Sequence, residues 1–291
     1  MSSILTNNSA MTALATLKDV NRGLNETQSR VSTGLKVASG KDNAAYFAIS
    51  ETMKGDSGMF KAINEGMTAT KNSVATARLG AETVSDIAQQ MVERIAFAQS
   101  NGINKADVQN ELVALASNMQ SAIDQATFNG DDLVGEASST VTVVTGVSRS
   151  TGSFATTSIT FDTVDLQAIH DSLSAIDVTA VDIADDPLTT GTDESFTAPT
   201  MEANLAAAEA QLAASVTAAT SLGITENTLD GQMQFLDSLT DTLDSGVSSM
   251  VDADMEEEAA RLQAYQVQQQ LATQSLSIAN QAPQNILSLF R

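Results

Sequence analysis

The chain has 291 residues, 42% of them apolar, with a formal charge of −22, no Cys and no Trp. Without Cys, disulfides and thiolate metal sites are excluded, and so acidic a chain should repel nucleic acid and anionic lipid. Aromatics are only 4%, with 16 Gly and 3 Pro, a composition of small aliphatics that suits long helices packed closely side by side.

Charge is unevenly spread. Residues 1–130 carry 11 basic and 12 acidic side chains, whereas residues 131–260 carry Arg149 alone against 24 acids. The N-terminus has no basic n-region and no apolar h-region, and no stretch approaches the roughly 18 apolar residues of a membrane span. Taken alone, these features describe a cytoplasmic protein.

In chain order, the first pattern is a thin heptad seam through Ala10, Leu14, Leu17, Asn21, Leu24, Gln28 and Val31. A much stronger 3.5-residue period then runs from Tyr46 through Ile49, Met53, Asp56, Phe60, Ile63, Met67, Thr70, Val74, Ala77, Ala81, Val84, Ala88, Met91, Ile95 and Ala98. Only Asp56 and Thr70 are plainly polar, so the spacing predicts a coiled-coil helix over about 43–99. At about 1.5 Å per residue it would run on the order of 85 Å, which implies a rod.

Asn101-Gly102 is an expected helix end. A second seam follows at Val108, Leu112, Leu115, Met119, Ala122 and Ala126, then a turn at Phe128-Asn129-Gly130. Residues 136–163 alternate Ser/Thr with Val, Ile and Phe, which predicts short strands. Residues 164–200, acidic and Thr-rich with Pro187 and Pro199, read as a small exposed insertion.

Helix is expected again from about 201, with one stripe at Met201, Leu205, Ala208, Leu212, Ala219 and Leu222. After a break near Gly223 it continues at Leu229, Met233, Leu236, Leu243, Val247 and Met250. A last seam takes in Met255, Leu262, Tyr265, Ala272, Leu276, Ala279, Ile286 and Phe290, interrupted by Gln269. The terminal seams are thin and partly amide, while ordering each residue costs about 1–2 kcal/mol of backbone entropy. The two ends are therefore expected to be poorly ordered in a single copy and to order when many copies pack.

Sites for chemistry are scarce. His170 is the only histidine, so a His-Glu-x-x-His zinc site is impossible. No Gly-x-Ser-x-Gly, Walker loop or Gly-x-Gly-x-x-Gly occurs. Asp182, Asp185 and Asp186 lack EF-hand spacing, and Glu256-Glu257-Glu258 reads as carboxylates complementing a helix N-terminus. The expectation is a non-enzyme without cofactor or metal.

Two long motifs then carry a resemblance. Ala279-Asn280-Gln281-Ala282-Pro283-Gln284-Asn285-Ile286-Leu287-Ser288-Leu289-Phe290-Arg291 resembles the C-terminal signature of bacterial flagellins. Arg30-Val31-Ser32-Thr33-Gly34-Leu35-Lys36-Val37-Ala38-Ser39-Gly40-Lys41-Asp42-Asn43-Ala44-Ala45 resembles their N-terminal one, and Phe128-Asn129-Gly130 their turn before the variable region. The likeness covers about 1–133 and 201–291. The ending from Pro283 to Arg291 separates the chain from the related hook–filament junction proteins. A secreted adhesin acting through 131–200 is disfavoured because that segment is short and lacks clustered aromatics.

The resemblance implies a mainly α fold, an elongated rod of long antiparallel coiled-coil helices with a small β-containing variable insertion. Residues 1–33 with 252–291 would form the inner filament core, 34–42 the spoke, 43–130 with 201–251 the outer tube, and 131–200 the exposed domain. It implies a helical homopolymer outside the cell, exported unfolded by the flagellar type III apparatus. Implied partners are further copies of itself, hook-associated and cap proteins and an export chaperone, with neither nucleic acid nor membrane among them. The expected assembly residues are Leu14, Leu17, Leu24, Val31, Leu262, Tyr265, Leu276, Ile286, Leu289 and Phe290, with Asn21, Gln28 and Gln269 setting register. The resemblance also sets Met91 where an exposed arginine meets a vertebrate innate receptor, so weak receptor activation is expected.

Overall fold

The structure, a computed structural model, describes residues 7–100, 102–135, 138–148, 155–179 and 201–289, with side chains as far as 281. Six helices and two small antiparallel sheets are present among them: α1 (Asn8–Thr33), α2 (Ala44–Ala98), α3 (Lys105–Gln125), β1 (Thr127–Phe128), β2 (Asp131–Asp132), β3 (Thr140–Ser148), β4 (Ala155–Asp162), α4 (Leu166–Ser174), α5 (Met201–Val251) and α6 (Met255–Leu289). No helix among them is long and apolar enough to cross a membrane. The chain divides into two compact units, residues 1–58 with 240–291 and residues 59–239.

The larger unit is built on the seam read from the sequence. Met67, Val74, Ala77, Ala81, Val84, Ala88, Met91, Ile95 and Ala98 of α2 are buried, as are Ala208, Leu222, Leu229 and Leu236 of α5. In this unit the two helices run antiparallel, tied by Asn64 to Asp237, Lys71 to Asp230, and Arg78 Nε to Glu226 at 2.9 Å. The Asp230 hydrogen bond holds the Lys71 ammonium above its ordinary pKa, and Glu226, then Glu82, does the same for Arg78.

The expected break near Gly223 does not occur, because α5 runs unbroken through it. One glycine weakens a helix by only about 1 kcal/mol, and a side chain at 223 would come within 3.6 Å of Arg78 Cδ. On α3 the buried set is Val108, Leu112, Ala116, Met119 and Ile123, so Leu115 and Ala122 give way to their neighbours. A 3.6-residue helix drifts against a strict 3.5 repeat, which moves the covered position by one.

Met91 is buried in this seam and is not on the exposed face. The outward cation here is Arg94, 3.2 Å from Glu111 of α3. An expectation of weak receptor activation that rests on Met91 facing solvent therefore loses its premise.

Asn129 and Gly130 have φ of 53° and 88° and join β1 to β2 as a two-residue hairpin turn. β3 and β4 pair antiparallel, with a register irregularity between Val144 and Gly146. Helix α4 starts at Asp165, whose carboxylate accepts from the Ala168 N–H, and buries Leu166, Ile169 and Leu173. His170 bonds Gln167 and Asp171, and the hydrogen bonds that His170 and then Gln167 make to the Asp171 carboxylate hold it below its usual range. Asn101 and the acidic run from Asp182 to Asp186 lie outside the described residues.

In the smaller unit α1 and α6 lie antiparallel, and Val37, Val247 and Val251 form a cluster with Leu35, Phe47, Met53 and Met250 packed on it. That cluster explains why Tyr46 and Ile49, read as seam positions, are exposed. Phe47 takes the contact with the valines, and the covered face continues through Ser50 and Ser57.

Candidate assembly surface

The α1–α6 pair is where the expected assembly residues fall. Asn7 caps α1 by accepting from the Ala10 N–H at 3.1 Å, and its amide donates to the Ala279 carbonyl of α6 at 2.8 Å. Halfway along, Gln269 Nε2 donates to Asn21 Oδ1 at 2.7 Å. At the other end Arg30 Nη1 meets Glu258 Oε1 at 3.3 Å. Beyond that, the Ala253 N–H donates to the Gly34 carbonyl, and the Lys36 and Val37 N–H groups to that of Val251. Gly34 closes α1 in the left-handed region at φ 73°, its N–H returning to the Arg30 carbonyl.

Leu17, Leu24, Val31, Leu262, Tyr265 and Leu276 are half-buried in the seam between the helices, with Asn21 and Gln269 beside them. Gln28 and Leu14 are not in it: both are exposed, Leu14 at 43%. Val20 and Thr27 are buried in their place, with Ala13 half-covered, so the covered face of α1 lies one residue earlier than the sequence pattern suggested. One residue is about 100° around the helix, but Leu17, Leu24 and Val31 stay in the seam, so the face as a whole turns by less than that. Ile286 and Leu289 lie on α6 with side chains outside the described residues, and Phe290 is outside them altogether.

The carboxylates at the start of α6 differ in role. Asp254 caps the helix, accepting from the N–H groups of Glu256 and Glu257 at 3.0 and 3.2 Å. Glu258 is 5% exposed and shares Oε1 between Arg30 and Arg261. It belongs to the pairing of the two helices rather than to the helix end.

The pair is thinly sealed. Val20, Thr27, Glu258 and Ala272 are its buried residues among those described. Val267, Leu271 and Ile278 are 55%, 59% and 69% exposed. At about 100° per residue these three fall within about 40° of one another and about 150° around α6 from the seam. Helix α1 cannot cover both faces at once. Met11, also exposed, adds to the uncovered apolar area from α1. Between the helices runs a groove of about 1010 Å³, lined by Thr12, Ala13, Thr16 and Val20 on one side and Leu271, Ala272, Ser275 and Ile278 on the other. The reading from sequence missed this second stripe because it followed one seam per helix; the spacing of 267, 271 and 278 was the available signal. No cluster of three or more metal-ligating side chains occurs among the described residues.

Comparison with known proteins meets this geometry from outside. The family model described as the bacterial flagellin N-terminal helical region matches residues 4–138, and that of the C-terminal helical region matches 205–290. Along its whole length the chain is 36% identical to a flagellin of Brucella melitensis, over the full length of that protein. It is 32% identical to flagellin C of Rhizobium meliloti, again over the whole of both chains. It is 33% identical to flagellin FljK of Caulobacter vibrioides, over all of this chain and 99% of that one. With matches at both ends and along the full length, on helices whose apolar faces one copy leaves open, the chain belongs to the bacterial flagellin family and is a structural subunit of the flagellar filament, not an enzyme.

Proposed function

We propose that filament growth is driven by the terminal helix pair, whose uncovered apolar stripe is covered only by further copies of the chain. The observation that carries this is the exposure of Val267, Leu271 and Ile278 on α6, the last two at the open edge of the groove beside α1. An exposed apolar stripe repeated on every copy favours association at about 25 cal/mol per Å² removed from water. A head-to-tail contact of this kind does not close on itself and propagates a helix.

In this reading Leu17, Leu24, Val31, Leu262, Tyr265 and Leu276 complete the seam within a copy. Leu14, Ile286, Leu289 and Phe290 join Leu271 and Ile278 in contacts between copies, and Asn21 and Gln269 join the two helices by their hydrogen bond. Residues 1–33 with 252–291 are the inner core, 34–42 the spoke, 43–130 with 201–251 the outer tube and 131–200 the exposed domain. The thin seam supports terminal helices that order fully only on assembly, and export of the chain unfolded before it. Hook-associated and cap proteins and an export chaperone are the remaining partners of the same terminal segments.

The test is negative-stain electron microscopy of the purified chain after salting out, beside a version lacking residues 252–291. Filaments from the full chain alone are expected. Filaments from both would remove the terminal pair from its assigned role.

A further inference from the structure

Glu258 is costly to bury. Its Oε1 accepts from Arg30 Nη1 on α1 and from Arg261 Nη1 at 2.8 Å on its own helix, yet its Oε2 is buried without a hydrogen-bond partner. The guanidinium of Arg30 is held from behind by Glu26 at 2.6 Å, and that of Arg261 by Glu257. Five charged groups thus run from α1 to α6 through one desolvated carboxylate. Buried ion pairs of this kind stabilise little compared with apolar residues of similar volume, and an orphaned oxygen makes this one worse. Its value is expected to lie elsewhere than in stability.

Apart from Tyr265, whose ring needs Gly23 opposite it, the apolar seam aligns these helices weakly. Leu17, Val20, Leu24 and Val31 would meet acceptable partners if α6 slid by one heptad against α1, since Leu262, Ala272 and Leu276 recur at similar spacing. A slide that brings Tyr265 opposite Arg30 puts Glu258 beside Val37, and Asn21 opposite Leu276. The opposite slide brings Val251 opposite Arg30, Glu258 beside Gly23, and Asn21 opposite Leu262. In the first of these Gln269 meets Gln28, an amide that would receive it, so the Asn21–Gln269 hydrogen bond is a weak judge of register. The buried charge is accepted in neither. Either slide takes Glu258 from Arg30 and sets an uncharged residue, Val37 or Gly23, opposite it, and removing one partner of a buried pair is far more costly than the pair's own net contribution.

We infer that the Glu258–Arg30 pair, backed by Arg261, is a register lock: it makes the terminal helices align in one way only. This rests on the reading of that helix pair as the element of assembly, because a filament built from copies in mixed register could not repeat. The lock disfavours the wrong alignments and does little to strengthen the right one.

The chain has no Cys, so register can be read by thiol pairs introduced into it. Asn21→Cys is combined in turn with Gln269→Cys, Leu262→Cys or Leu276→Cys, and each pair is treated with a short bismaleimide under assembly conditions. With the lock intact, cross-linking is expected only between 21 and 269. In an Arg30→Met/Glu258→Leu background, helix content by circular dichroism should be retained. Cross-links from 21 to 262 or 276 should then rise to at least a tenth of the native one, and filaments should become short or absent. Native cross-links alone in that background would overturn the lock and assign register to Tyr265 on Gly23 and to the backbone bonds around Gly34 and Val251. Loss of helix content would overturn it too, by making the cluster a matter of stability. Failure of the unsubstituted chain to polymerise, with the lock-intact thiol pairs still cross-linking only between 21 and 269, would sink the assembly reading and leave the lock standing.

Discussion

The ring of Tyr265 lies against Gly23, so close that a Cβ built at position 23 would stand 2.6 Å from Cζ and 2.9 Å from the hydroxyl oxygen. Gly23 is an interior residue of α1, where it costs about 1 kcal/mol of helix propensity against Ala. Here that cost is offset by letting the largest side chain of the α6 seam approach the backbone. Gly23→Ala gains propensity but overpacks the contact, and overpacking costs about 1–3 kcal/mol. The net expectation is a looser terminal pair, seen as faster amide exchange along α1 in assembled filaments. Tyr265→Ala in the same chain should relieve most of the effect, giving a strongly non-additive double-mutant cycle. Additive behaviour would mean that the two residues do not share the contact.

The long seam from Phe60 to Ala98 was legible because small and medium aliphatics recur there with little interruption, and burial follows such a pattern directly. The terminal pair was harder to read. With Ala10, Ala13, Leu14, Leu17, Val20 and Leu24 all available, two faces of α1 compete, and only the partner decides that Val20 is buried more deeply than Asn21. Glu258 was misread because three consecutive glutamates at a helix start fit the helix dipole as well as they fit anything. Its pairing depends on Arg30, 228 residues away. Local spacing carries no trace of such a contact.

Leu271 and Ile278 give the cleanest separation of folding from assembly. Both are more than half exposed, at the open edge of the groove between α1 and α6. Leu271→Lys with Ile278→Lys should leave the thermal transition of the soluble chain within about 0.5 kcal/mol of the parent, as surface substitutions usually do. Polymerisation should be abolished, since a charge would have to be buried at each contact between copies. Sedimentation of the salted-out chain measures it. Normal filament yield from the double variant would show that this stripe stays open to water in the polymer.

Asp42 makes the segment after α1 sensitive to acid. Its Oδ2 accepts from the Ser39 hydroxyl at 3.1 Å, the Ser39 N–H at 3.0 Å and the Ala38 N–H at 3.1 Å. The Ser39 bonds foremost, then the Ala38 N–H, hold this carboxyl below its ordinary value of about 3.8. A carboxylate depressed in the folded state contributes order that is fully present above the unfolded value and lost as pH falls through the folded one. Between pH 7 and about 4 the turn should therefore be indifferent to pH. Below about 3.8 the Ala38 and Ser39 amide resonances should move together. Asp42→Asn should flatten that titration. A midpoint above the ordinary carboxylate value would contradict the hydrogen-bonded turn.

Charge sets the last condition on assembly. Each copy carries a formal −22, and 24 of its 36 acidic residues fall between 131 and 260. Bringing copies together concentrates that charge, and only mobile cations relieve it. The screening length is about 30 Å at 0.01 M salt and about 10 Å at 0.1 M. Neighbouring copies should therefore repel across their whole width at the lower concentration and only at close approach at the higher. The critical concentration for polymerisation should fall steeply as sodium chloride rises through this range. Charge-neutralising substitutions such as Asp241→Asn, at an exposed position of α5, should shift the curve to lower salt by a small step each. Magnesium at equal ionic strength should do no better than sodium if screening alone is responsible, because no cluster built to hold a metal exists among the described residues. A sharp advantage for the divalent ion at micromolar concentration would instead reveal a specific cation site between copies.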